Sequence, residues 1–220
     1  MKRNHWSVGI TLIFLIAAGG QQASAQSPRV IRGDAAGTIG WLAADTHSAG
    51  PYDHNDWVDS FFRAVSAGWH WTDNLKTEID FGGGTDSRVF RTQPVTIAGR
   101  STYQTTQSRF KRQTLGFSQQ YQFFHNVWFH PHVAAGVNVT WVRQRDEPEQ
   151  IYFYDPATGT SRIEPRQAGT EQKSVTANPF VAIGYKAYLS DRAFFRNDLR
   201  LAFRGGIDET TLRIGLGFDF

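Results

Sequence analysis

Three groups of residues carry side chains that could do chemistry, and their spacing decides which kind. His130-Pro131-His132 sets two imidazoles on one face of an extended segment, as a pair of metal ligands stands, but no third ligand is near in sequence. They read as polar filling of an interior. Asp45, His47, Asp53, His54, Asp56 and Asp59 gather acids and imidazoles as an acid–histidine dyad or a cation site would. Their irregular spacing meets no motif, so a solvated loop is the preferred reading. The third group is periodic. Lys76, Glu78 and Asp80 fall at alternate positions, as do Arg196, Asp198 and Arg200 with Arg204 beyond them; Lys186, Glu209, Arg213 and Asp219 keep the same phase in their own segments. Alternate side chains of a strand share a face, so the chemistry open to this mixed set is mutual neutralisation. No His-x-Ser pair lies on a late strand to serve as base and nucleophile. The expectation is no catalytic residue, no metal and no cofactor.

The elements that would position these charges are strands. Leu212, Ile214, Leu216, Phe218 and Phe220 alternate with Thr211, Arg213, Gly215, Gly217 and Asp219, a period of two without a break. Phe129 to Trp141 repeats the pattern, with Pro131 near its start, where a missing donor is tolerated. Weaker copies run through Ile39–Ala43, Val65–Trp71, Thr77–Phe81, Leu115–Phe123, Val181–Ala187 and Phe195–Phe203, making eight strands. Short connections at 72–74, 124–126 and 190–192 alternate with long ones at 45–58, 88–108 and 143–172; only Gly205-Gly206 is tight on the long-loop side. One apolar face, one polar face and alternating loop lengths are the pattern of an all-β, closed up-and-down antiparallel barrel that crosses a membrane.

Aromatic residues gather at the strand ends beside the short turns: Trp69, Trp71, Tyr121, Phe123, Trp128, Phe129, Phe194, Phe195, Phe218 and Phe220. They predict an interfacial ring. Phe61, Phe62, Phe110, Trp141 and Phe203 lie near the long loops. A two-residue Gly205-Gly206 turn of type I′ pairs Leu199 with Leu212 and Asp198 with Arg213. A three-residue loop at Asp73 places Gly68 opposite Glu78 and Ser66 opposite Asp80. An eight-stranded barrel is only wide enough for side chains to fill, so Lys76, Glu78, Asp80, Arg196, Asp198, Arg200, Arg204, Glu209 and Arg213 form a salt-bridged plug. Glycines 40, 68, 82, 116, 136, 184, 215 and 217 point inward to leave it room.

Residues 1–25 have the form of a cleaved signal peptide: Lys2 and Arg3, an apolar run from Val8 to Ala18, then Ala23-Ser24-Ala25. Residues 26–36 read as a periplasmic leader, which holds Arg32-Gly33-Asp34, and 37–220 as the outer-membrane barrel. Cleavage removes Lys2 and Arg3, taking Lys plus Arg from 23 to 21 against 20 acidic residues. Basic and acidic residues are interleaved along the chain, so no nucleic-acid footprint is read from it. The chain has no cysteine and hence no disulfide framework.

Arg213-Ile214-Gly215-Leu216-Gly217-Phe218-Asp219-Phe220 and Pro131-His132-Val133-Ala134-Ala135-Gly136-Val137 resemble the small eight-stranded outer-membrane barrels of the OmpA/OmpX and opacity-like kind. The resemblance covers about residues 37–220. It implies that Leu212, Ile214, Leu216, Phe218 and Phe220 are the assembly signal, read by the barrel-assembly machinery after periplasmic chaperones deliver the chain. Outer-membrane lipid and lipopolysaccharide would surround the barrel, exported to the bacterial outer membrane. The leading expectation is a non-enzymatic envelope protein, structural or engaged in surface interaction. Its third long loop holds Tyr152, Phe153 and Tyr154 before the turn signal Asp155-Pro156-Ala157-Thr158-Gly159, a hairpin that could meet a surface protein partner. The alternatives are a narrow, porin-like passage, or a lipid A or peptide hydrolase at the outer rim.

Overall fold

A computed structural model describes residues 32–45, 57–97, 100–123, 128–147, 149–155, 158–167 and 169–220. The expected signal peptide and most of the first long loop lie outside the described residues. Eleven strands follow in order: β1 Gly33–Asp45, β2 Trp57–His70, β3 Leu75–Gly84, β4 Ser87–Ile97, β5 Arg100–Gln122, β6 Phe129–Asp146, β7 Glu149–Asp155, β8 Thr160–Gln167, β9 Glu171–Tyr188, β10 Ala193–Phe203 and β11 Ile207–Asp219. Eight of them close a ring in the order β3-β2-β1-β11-β10-β9-β6-β5, sealed by pairing of β3 with β5. Every pairing is antiparallel.

The period-two pattern holds strand by strand. On β2 burial alternates from Trp57 to Ala67, and on β3 Lys76, Glu78 and Asp80 are buried between exposed Leu75, Ile79 and Phe81. Leu212, Ile214, Leu216, Phe218 and Phe220 all stand outward and exposed. The expected registers Leu199–Leu212, Asp198–Arg213, Gly68–Glu78 and Ser66–Asp80 are those of the structure.

Four expectations give way. β1 starts at Gly33, so residues 33–36 belong to the barrel wall and not to a leader; Arg32 and Gly33 both donate to the Phe220 carbonyl, which ties the strand start to the chain end. The β10–β11 turn is not a two-residue type I′ turn. Phe203 pairs with Ile207, the register shifts beside Ala202, and Gly205 alone has positive φ, at 82°, whereas type I′ needs it at both central residues. Arg204 is thereby carried into the exposed turn, outside the interior, while Asp208 and Glu209 are both buried in the resulting bulge. Finally, Phe194 faces inward and not into the interfacial ring, and Phe62 and Phe110, near the long loops, face inward as well.

The two longest connections are mostly strand. β4 takes over from β3 as the neighbour of β5 and runs in register with it from Ser87–Phe110 to Ile97–Arg100. β7 and β8 form a hairpin. These pieces continue the barrel wall beyond its lipid-facing zone.

Candidate functional site

The interior charges are joined in one line. Asp219 lies 3.5 Å from Lys186, which also bonds Asp34. Asp34 is 2.9 Å from Lys76, and Lys76 is 2.7 Å from Glu78. Glu78 accepts two bonds from Arg196, each 2.7 Å. Arg196 reaches Asp198 at 3.0 Å, Asp198 accepts from Arg213 at 2.7 Å, and Arg213 reaches Asp80 at 3.3 Å. Asp80 closes the line by accepting from Arg200 at 2.8 and 3.2 Å. Five cations alternate with five anions, and no side chain in the line is more than 5 % exposed.

Topology explains why the line blocks the bore. In the ring of eight, β3 and β10 are four strands apart by either route, so the bonds from Glu78 to Arg196 and from Asp80 to Arg200 run across the barrel's diameter. Planar guanidinium groups make this possible, because a fork of donors can hold two carboxylates at once. The ends of the line are finished by aromatic faces: Lys186 Nζ sits 4.1 Å over Phe194 and Arg200 lies 3.9 Å over Phe180. Arg200 also donates to Asn138 Oδ1 at 2.9 Å.

Glycine spacing is part of the same construction. A Cβ on Gly116 would come within 2.4 Å of Asp80 Oδ2, and one on Gly217 within 2.2 Å of the Phe194 ring. Above the charged line, toward the long-loop end, Leu42, Ala44, Phe62 and Ala64 form one buried apolar cluster and Phe180, Ala182 and Ala202 another. Arg112 donates to the Asp45 carbonyl at 2.7 Å and lies 3.7 Å from Glu209.

Of the residues singled out in sequence, Lys76, Glu78, Asp80, Lys186, Arg196, Asp198, Arg200, Arg213 and Asp219 fall in this line. Glu209 belongs to the upper layer with Arg112, and Arg204 to neither. Asp34, the hub between two lysines, was hidden by the leader boundary. Its signal was Gly33-Asp34 preceding Ala36, Thr38 and Gly40 in the inward phase of the first strand. Phe180 and Arg112 share their strands' inward phase as well and were equally readable.

His132 is buried and His130 half-buried, the latter edge-on to Tyr188 at 5.2 Å. Among the described residues no three His, Cys, Asp or Glu side chains come together as a metal set. On the inner wall of β5 and β6, Gln120 Nε2, Gln122 Nε2 and His132 Nδ1 make no hydrogen bond. Asn138 is buried inside the barrel. Tyr152, Phe153 and Tyr154 lie on β7, in backbone register with Ile163, Arg162 and Ser161 of β8. At the far end of β9, Glu171 accepts from Arg143 at 2.6 Å. That bond, together with the charges of Arg143 and Lys173, holds its carboxyl below the usual glutamate value.

An outward apolar coat around a closed ring of eight antiparallel strands is the architecture of the small eight-stranded outer-membrane β-barrels, and this chain has that fold. Neisserial surface protein A is similar to it at a TM-score of 0.51 and 12% identity, covering 86% of this chain and 96% of the other. Pseudomonas aeruginosa OprG (TM-score 0.48, 13% identity, 86% and 97% covered) and the N-terminal β-barrel domain of Pseudomonas aeruginosa OprF (0.47, 15%, 86% and 98%) are further neighbours. No protein-family model matches the chain, and no curated protein matches it in sequence.

Proposed function

We propose that the chain is a non-enzymatic integral protein of the bacterial outer membrane whose bore is closed by ion pairs. Its work is done by the surface beyond the membrane, in envelope structure or in surface interaction. The observation that carries this reading is the line of ten alternating charges strung across the diameter. A water-filled passage needs a continuous polar lumen, whereas here every cation meets a carboxylate and the outer end is stoppered by Phe62 and Phe180. The β4–β5 and β7–β8 hairpins extend the wall outward, and among the described residues β8 is the last strand of its sheet, leaving an edge where an extended partner segment can pair.

A narrow passage is the second reading, and the unpaired amide and imidazole nitrogens of Gln120, Gln122 and His132 favour it, since they leave hydrogen-bonding capacity along one inner wall. Planar-bilayer recording separates the two. The plugged barrel gives no resolved current steps, and Asp80→Ala with Arg200→Ala, which removes the upper strut, introduces them. Steps in the unmodified protein would overturn the closed reading. Location is tested by outer-membrane fractionation with protease treatment of whole cells, which should cleave between Arg143 and Lys173.

A further inference from the structure

The outward face of one barrel sector is cationic. Lys111 on β5 is paired with Arg143 on β6, and Arg143 with Lys173 on β9. Their side chains form a row across three neighbouring strands, spaced about 4.8 Å apart. Two residues further from the barrel body runs a second row: Arg88 on β4, Arg109 on β5 and Arg145 on β6 are paired in sequence across the strands. Six cations stand here against Glu147, Glu171 and, at the junction of β3 and β4, Asp86. Arg109 bonds Glu147, and Glu171 holds Arg143 at 2.6 Å and Lys173 at 3.4 Å, fixing two cations side by side while leaving them more than half exposed. Two strands round the ring from β5, β2 carries the exposed charges Asp59 and Arg63.

What lies beneath the rows says what kind of anion fits. Directly below the first row stand Trp141 and Val175, 40 % and 62 % exposed, and from Trp141 down to Val133 the outward positions of β6 are apolar. That stretch is about 26 Å of strand, or about 20 Å across the membrane at a tilt of about 40°. The cations therefore sit where hydrocarbon gives way to headgroups. A groove of about 410 Å³ opens there, lined by Lys111, Gln113, Trp141, Arg143, Lys173 and Val175. Its floor is apolar and its rim is basic, which suits a phosphorylated group joined to acyl chains better than a free anion.

We propose that this sector is a binding site for a phosphorylated glycolipid of the outer leaflet. Its phosphoryl groups lie against Lys111, Arg143 and Lys173, and its chains run down past Trp141 and Val175. The proposal rests on the outer-membrane reading for its biological setting, but its test does not. The protein is held in phosphatidylcholine nanodiscs and titrated with fluorescent diphosphoryl lipid A, with dephosphorylated lipid A and inorganic phosphate as the other probes.

The unmodified protein should bind diphosphoryl lipid A, lose affinity as salt rises, and discriminate against the dephosphorylated form. Changing Lys111→Gln, Arg143→Gln and Lys173→Gln together should weaken binding about a hundredfold, at about a few-fold to tenfold for each cation near an anionic surface. Arg63→Gln on β2, separated from β5 by β3, should leave it unchanged. Equal affinity for both lipids, an unaffected triple variant, or displacement by millimolar phosphate would overturn the proposal. The salt dependence of the unmodified protein decides the matter even if the triple variant folds poorly. Fractionation that put the chain elsewhere would sink the location alone.

Discussion

Asp80 holds Arg200 and Arg213 at once, so removing it leaves Arg200 buried without a carboxylate and Arg213 with Asp198 alone. Breaking a buried pair in this way costs about 3–5 kcal/mol, whereas replacing the whole group by apolar side chains of similar volume costs far less. Urea unfolding in detergent micelles should therefore show Asp80→Ala strongly destabilised, and a variant with Asp80→Leu, Arg200→Met and Arg213→Met less so. A triple variant worse than the single one would contradict the account. Gly116, the register partner of Asp80 on the neighbouring strand β5, tests the same contact. Its alanine variant drives a methyl against Asp80 and should cost about 1–3 kcal/mol, while Gly37→Ala, whose added Cβ meets nothing within 4 Å, should be neutral. At this scale the sequence was legible wherever phase could be carried along a strand. Arg196, Asp198 and Arg200 announced the inward face of β10, and the same count puts Phe194 inside; its position beside a short turn pointed to the interface instead. Phase won because a strand cannot turn one residue over without a bulge.

Elements were legible where alternation was strict and less so where turns decided. The β10–β11 register follows from matching Leu199 to Leu212, but the form of the turn does not. Three residues and a bulge replace the two-residue loop, and Arg204 moves from lumen to solvent. The β7–β8 hairpin is attached to the barrel wall by pairing of Gln150 and Ile151 with Thr105 and Gln104, and its base is bridged from Asp146 N–H to the Thr170 carbonyl. Replacing residues 149–167 by a short turn should consequently leave the barrel's denaturation midpoint unchanged; a marked fall would mean that the hairpin braces the wall. By contrast, Ile214→Arg places a charge on the outward face of β11 midway along its apolar run, and should cost about 2–4 kcal/mol in lipid bilayers.

For the molecule as a whole, two properties come from ring closure. One is the strut across the bore, which exists because β3 and β10 are opposite in a ring of eight; neither strand alone indicates that Glu78 meets Arg196. The other is the cationic sector. Read along the chain, Arg88, Arg109, Lys111, Arg143, Arg145 and Lys173 are spread over 86 residues; the absence of any acid between Asp86 and Asp146 is visible in the sequence, but the meeting of these cations on one face is not. The sequence by itself determined the all-β class, the phase of each strand, the outward coat ending at Phe220 and most of the charges that enter the lumen, because a period of two is local and burial of one face enforces it. Only the tertiary structure decided which charges meet across the bore, that Asp34 joins the line, and that cations far apart in the chain stand abreast. Those facts depend on register between strands up to 185 residues apart, Asp34 being paired with Asp219, and register is fixed by closing the barrel, a condition that no single segment contains.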